Sequence, residues 1–376
     1  MSTTLDIAAL TQEKQIIVCC GSGGVGKTTS AAALGVLAAK QGRRALVMTI
    51  DPAHRLAQAM GLDGLSNDPQ QIDLDAPGSL HAMMLDSKRT FDRLVESYAE
   101  DDRTRDTIFA NNYYQQMSSS LGGSRELIAM ERVFEVANSD EYDILIVDTP
   151  PAQHALDFLD APKRMIDLLD GTLTGLLVKP YGLAAKVQFD FFRQSSAVTL
   201  KFLERLTGFE ILTDLSDFMM AFSGMFEGFK ERSHKVMELM RGASTSFVLV
   251  CAPEPGSLNQ ADQFAARLTS ESISIAGVLV NRVHLPLELG DELLGADLNK
   301  ELAPIGLIAD DQGVDELTLL ERVNDAFAAQ RALVKSDWAV LSQLRTSGLP
   351  NHQVPHFNRD LHSMEDLEAF AAALDP

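Results

Sequence analysis

Residues 21–28 read Gly-Ser-Gly-Gly-Val-Gly-Lys-Thr, and no other stretch of the chain narrows its fold as much. The segment fits G-x-x-x-x-G-K-[ST], a pattern whose chemistry depends on residue type at each place. Glycines let successive backbone N–H groups curl around phosphate oxygens with no Cβ in the way. A helix starting near Lys27 points its positive end at the same anion. Lys27 is placed to neutralise the β- and γ-phosphates, and Thr28 to offer its hydroxyl to Mg²⁺. The predicted nucleotide contacts are therefore Gly21, Ser22, Gly23, Gly24, Val25, Gly26, Lys27, Thr28 and Thr29. The competing reading is a glycine-rich turn that matches by chance, and the flanking segments weigh against it.

Those flanks read as strand and helix. Residues 15–20 are short, apolar and β-branched, as a buried strand should be, and the alanine-rich residues 28–41 predict a helix. Further strands are expected over 44–50, 80–86, 141–148, 246–251 and 274–281, with a short last one near 352–357 and a closing helix over about 364–374. Strands separated by helical stretches imply parallel crossovers. The predicted fold class is α/β: a doubly wound, mostly parallel sheet of the P-loop NTPase kind with helical insertions. All of 1–376 reads as one such domain, with a helical subdomain over about 162–243 between sheet strands and a second helical elaboration over about 286–348.

In open α/β sheets ligands lie beyond the carboxyl ends of the strands, so acids at those ends merit attention. Asp148 follows the apolar run 144–147 and is placed to stand behind Mg²⁺; the bland reading is a strand that happens to end in Asp. Asp51 follows the second strand, just before Pro52. It reads both as a helix N-cap and as the residue that orients or deprotonates the attacking water beside the metal. Asn281 is followed by Arg282 and no acid, which fits adenine better than guanine. ATP and Mg²⁺ are the predicted cofactors, and Asp51 and Lys27 the predicted catalytic pair.

Three segments together resemble the family of dimeric ATPases that includes arsenite-pump ATPases and tail-anchored-protein targeting ATPases. They are GSGGVGKTT at 21–29, IDPAHRLAQAMG at 50–61 and DTPPAQHALDFLDAP at 148–162. Residues 251–254 (CAPE), Asn281 and the closing stretch 352–374 match later parts of the same pattern. The resemblance implies Mg-ATP at a dimer interface, with Asp51 activating water and Asn281 on adenine. It also implies Glu254 near the ribose or the partner chain, and Pro355 and Phe357 around the base. The family pattern carries a lysine where this chain has Ser22, and that lysine crosses to the partner's phosphates. A trans cation of this sort is worth ~10³–10⁵ in rate, or roughly 4–7 kcal/mol of barrier. A homodimer should then turn over poorly unless another cation substitutes, and a heterodimer with a lysine-bearing paralogue is the preferred expectation. A second departure is Gln153 in place of a family glycine.

Composition excludes some outcomes. With 32 Lys and Arg against 53 Asp and Glu, the formal charge is −21, which argues against nucleic acid as a partner. Three cysteines give no disulfide framework and no zinc spacing, and Cys19 and Cys20 read as strand-end core. No secretory signal or membrane-length apolar run is visible, so a cytoplasmic location is expected. The 162–243 segment is rich in phenylalanine and methionine. Phe218, Phe222, Met225, Phe226 and Phe229 fall on one helical stripe, read either as bundle packing or as a groove for a hydrophobic client or membrane partner. The predicted output is a switch ATPase gating such a client. The alternatives are the motor subunit of an anion or metalloid transporter and a slow nucleotide sensor controlling assembly.

Overall fold

The computed structural model describes residues 4–51, 55–112, 114–115, 124–150, 160, 163, 166–167, 225–286, 316–344, 348–358 and 361–375. The described strands are β1 (Ile16–Gly21), β2 (Arg44–Thr49), β3 (Gln70–Ile72), β4 (Ser79–Met84), β5 (Ile144–Asp148), β6 (Thr245–Cys251), β7 (Ile275–Val283) and β8 (Asn351–Pro355). The described helices are α1 (Ile7–Glu13), α2 (Lys27–Lys40), α3 (Arg55–Ala59), α4 (Ser87–Tyr98), α5 (Asp102–Ala110), α6 (Ser124–Ala137), α7 (Phe226–Arg241), α8 (Pro255–Ser270), α9 (Glu316–Leu344) and α10 (Met364–Leu374).

The strands form one sheet in the order β3-β4-β2-β5-β1-β6-β7-β8, parallel throughout except for β3, which runs antiparallel to β4. β1 pairs with β5 on one side and β6 on the other. The chain leaves β1 through α2 toward β2, and later crosses from β5 past β1 to β6. The order reverses at β1, where an α/β sheet opens its crevice. The phosphate-loop candidate emerges at that point.

Alternation along the strands builds two apolar cores, one on each sheet face. Ile16, Val18, Leu46, Met48, Leu145 and Val147 join one cluster with residues of α4 to α8, including Phe91, Ile128, Phe229 and Phe264. Ile17, Cys19, Val47, Ile146, Val248 and Leu279 join the other with α2 and α10. α2 is buried from Ser30 to Ala39 because the sheet covers one side and α10 the other. Its alanines suit that place, since small side chains let the helix lie close on both neighbours.

The predicted strands appear with ends shifted by one to three residues. The strand expected from residue 141 starts at Ile144, because Asp143 is used outside the ladder to bond Arg44. β3 was not expected: three residues with one buried position carry almost no pattern. Of the helical subdomain expected over 162–243, α7 is described and most of the rest lies outside the described residues, as does Gln153. In the stripe, Phe218 and Phe222 lie outside too. Met225 and Phe229 are buried, and Phe229 packs on Tyr98 at 5.3 Å between ring centroids. Those two positions pack inside, as the bland reading has it. No described helix is long and apolar enough to cross a membrane.

Candidate functional site

The loop between β1 and α2 takes its shape from residues that tolerate left-handed backbone. Gly24 and Gly26 have φ of 80° and 92°, where a Cβ crowds the following carbonyl. At Gly26 a Cβ would also stand 2.2 Å from Asn281 Nδ2. Asn281, 5% exposed at the end of β7, braces the loop from below. Its Nδ2 donates to Val25 O at 2.9 Å, and its Oδ1 accepts from the Arg282 N–H at 2.9 Å.

Lys27 opens α2 and is mostly buried. Its Nζ donates to Ser22 O at 2.8 Å, so the loop's own carbonyl holds the ammonium. Burial lowers its pKa, and the Asp148 carboxylate opposes that shift. Ser22 does not reach outward. Its Oγ lies 3.0 Å from Ser257 Oγ on α8, and Ser257 Oγ accepts from the Ala252 N–H at 3.1 Å.

Asp148, at the end of β5, is 1% exposed. Its Oδ2 accepts from Thr28 Oγ1 at 2.8 Å and Thr49 Oγ1 at 2.9 Å. Its Oδ1 is buried with no hydrogen-bond partner among the described residues. Burial raises this carboxyl to a pKa of about 6, against the pull of Thr28, Thr49 and Lys27. The Asp51 N–H donates to Thr49 Oγ1 at 3.2 Å, which ties the end of β2 to the same corner. An orphaned carboxylate oxygen beside a threonine hydroxyl is a hard-oxygen donor set of the kind Mg²⁺ takes, so these residues fit the metal. Thr28 would hold it, with Asp148 and Asp51 behind, and it would neutralise triphosphate charge.

A cleft of about 220 Å³ opens above the loop. Gly24, Gly26, Lys27, Thr28, Thr29 and Asp51 from the predicted set line it, joined by Arg55, Gln58, Ala59, Thr149, Arg282, Leu361 and His362. Nine predicted residues are not among its walls: Gly21, Ser22, Gly23, Val25 and Asp148 around the loop, and Glu254, Asn281, Pro355 and Phe357 farther along the chain. Asn281 sits beneath the loop, and Glu254 is the exposed N-cap of α8. Pro355 ends β8, and Phe357 stacks on Phe370 at 5.6 Å between centroids. Residues 361–362 reach the cleft because α10 starts with a reciprocal cap. The Asp366 N–H donates to Ser363 Oγ, and the His362 N–H to Asp366 Oδ2.

Sequence reasoning missed Arg55 and Arg282 as cleft residues. Arg55 lay inside the quoted 50–61 segment, and Arg282 directly after Asn281. Neighbourhood was the available signal, although adjacency along a strand usually means the opposite sheet face. Cys19 and Cys20 are buried, and burial raises both thiols, Cys20 to about 12. His284 donates its backbone N–H to Asp337 Oδ2 at 2.8 Å and stacks on His356 at 4.9 Å, which ties α9 to the turn after β7.

Comparison with known proteins gives a consistent result. A family model described as an anion-transporting ATPase matches residues 14–301. The chain is similar to the ATPase ASNA1 homolog 1 of Paramecium tetraurelia, 27% identical over 271 residues, covering 71% of this chain and 74% of that one. It is similar to the ATPase get3 of Aspergillus terreus, 27% identical over 276 residues, covering 71% and 72%. The ATPase GET3B of Arabidopsis thaliana is 26% identical over 320 residues, covering 80% of this chain and 72% of the relative.

Proposed function

Because the chain belongs to the anion-transporting ATPase family, we propose that this ATPase binds Mg-ATP in the cleft beyond β1 and works as a nucleotide-driven switch. The observation that carries this reading is the Thr28–Asp148 corner: a threonine hydroxyl on one carboxylate oxygen, and a buried second oxygen awaiting a partner. Around it each residue has a task. Lys27 transfers its ammonium from the Ser22 carbonyl to the phosphates. Asp51, lining the same cleft, takes the proton of the attacking water. Asn281 already bonds Val25 and Arg282, so its contact with adenine in this reading links base binding to loop shape.

Calorimetry on the full chain tests it. ATP with Mg²⁺ should bind the parent protein, and Lys27→Ala should lose that binding. Unchanged affinity in Lys27→Ala would remove the reading.

A dimer, of two copies or with a lysine-bearing paralogue, follows from the family pattern and from Ser22. Gating of a hydrophobic client, of the tail-anchored kind, is supported by the methionine- and phenylalanine-rich composition of 162–243. A slow nucleotide sensor is the second reading. It is favoured by Ser22, whose side chain is held within its own chain by Ser257. A metalloid-transporter motor is disfavoured because Cys19, Cys20 and Cys251 are all buried. Apolar peptides that co-purify with the protein and are released by ATP would support the client reading; a clean preparation with tight ATP and no turnover would support the sensor.

A further inference from the structure

The cleft holds more positive charge than the phosphate-loop pattern accounts for. Besides Lys27, its walls include Arg55 at the start of α3 and Arg282 near the end of β7. Both side chains belong to exposed residues, and neither has a hydrogen bond or ion pair to another side chain among the described residues. The chain carries 53 acidic and 32 basic residues, and many of its other described arginines are claimed by carboxylates. Arg44, Arg89, Arg93, Arg105, Arg232 and Arg267 all pair with Asp or Glu. An unpaired guanidinium in so acidic a protein is a place for an anion that the protein itself does not supply.

Arg282 is also built to point where it does. Its φ is 64°, a left-handed conformation at a residue with a full side chain. Such backbone costs energy and persists only where the surroundings impose it. Here the imposing contacts are visible. The pairing of β7 with β8 shifts register between Val280 and Val283, and the Arg282 N–H is drawn onto Asn281 Oδ1. A bulge of this kind re-aims a side chain at the sheet rim. At this bulge Asn281 braces the loop through Val25 O, and Arg282, the next residue, lines the cleft beside the same loop. Arg55 lines the same cleft, and after burial its charge is among the influences that lower the Lys27 pKa.

We propose that Arg55 and Arg282 bind the phosphate chain of the nucleoside triphosphate, supplying within one chain the positive charge that Ser22 does not carry. The proposal rests on the Mg-ATP reading of the cleft. It makes the two arginines determinants of selectivity for triphosphate over nucleosides lacking phosphate. It also gives a homodimer a complete set of cations.

The test is nucleotide affinity, measured by calorimetry for Mg-ATP and by competition for adenosine, on full-length Arg55→Gln, Arg282→Gln, the double variant and Lys27→Ala. Losing a charge-assisted hydrogen bond of this type costs about tenfold or more in affinity. Each single variant should weaken ATP about tenfold and the double variant about a hundredfold, with adenosine unchanged. The salt dependence of ATP binding should become shallower in the double variant. If the double variant binds ATP within twofold of the parent while Lys27→Ala does not bind it, the proposal is wrong and the phosphate loop stands. If ATP and adenosine weaken equally, the arginines act on structure and the proposal is wrong as well. If Lys27→Ala keeps parental affinity, the underlying Mg-ATP reading fails instead.

Discussion

Thr28 Oγ1 lies 2.8 Å from Asp148 Oδ2, joining residues 120 positions apart in sequence, and the other oxygen of that carboxylate meets no partner among the described residues. The bond fastens the start of α2 to the end of β5. A buried acceptor left open is costly unless something fills it, and the proposed Mg²⁺ would do so here.

The first prediction concerns that corner. Asp148→Asn keeps the side-chain shape and removes the charge. It should lower the Mg²⁺-dependent part of ATP affinity by about 10–100-fold, the usual loss when a group supporting a metal is changed. ATP binding in EDTA should change far less. Calorimetry with and without Mg²⁺ separates the two, and equal losses under both conditions would place Asp148 outside the metal site.

Two glycine substitutions should differ in a defined order. Gly24→Ala meets only the φ of 80°, with open space around the added methyl. A cost of about 1–2 kcal/mol follows from backbone strain alone. Gly26→Ala meets φ of 92° and the Asn281 amide as well, so it should cost more and displace the brace on Val25. Urea unfolding of both variants gives the comparison, and ATP affinity should fall further in Gly26→Ala.

Position 22 separates two sources of the missing cation. If Arg55 and Arg282 serve the phosphates, Ser22→Lys should alter turnover of the purified chain by no more than about threefold, well short of the ~10³–10⁵ that a newly supplied trans cation brings. Steady-state ATP hydrolysis reads this directly. A gain of a thousandfold or more would assign the charge to a lysine-bearing partner.

Acid stability should report the Arg44–Asp143 pair. Side-chain and backbone hydrogen bonds from Arg44 hold the Asp143 carboxyl down to about 2. Its folded pKa is thus below the unfolded value near 4, and its contribution is present above about pH 4 and lost as pH falls toward 2. Asp143 is 38% exposed at its side chain, so solvent screening keeps the effect under about 1 kcal/mol. The stability gap between the parent and Asp143→Asn should be constant from pH 5 to 7 and shrink below pH 4. A gap that widens on acidification would contradict the assignment.

Much of the fold was legible because the strands that build it are long, apolar and buried on both faces. β1, β5 and β6 are buried at every position, and each stood out as an uninterrupted apolar run. β3 did not, since an edge strand with one buried residue has no pattern to read. For the candidate site, the glycine-lysine-threonine loop and two acids stood out because a phosphate loop with its metal calls for residue types in a fixed order, and the structure brings Lys27, Thr28 and Asp51 to one cleft with Asp148 bonded to Thr28. Glu254, Pro355 and Phe357 were inferred by resemblance, and none of them lines the cleft.

Local spacing and hydrophobic period were enough to read the glycine-rich turn between strand and helix, the parallel α/β class and the acid at the end of β5. Only the tertiary structure decided that Asn281 supports the loop, that Ser22 bonds Ser257, and that Arg55 and Arg282 converge on one cleft. The physical reason lies in the β7 bulge and the crossovers around β1. A one-residue shift in strand register reverses which face a side chain takes, and the pairing that sets it involves residues far apart in the chain.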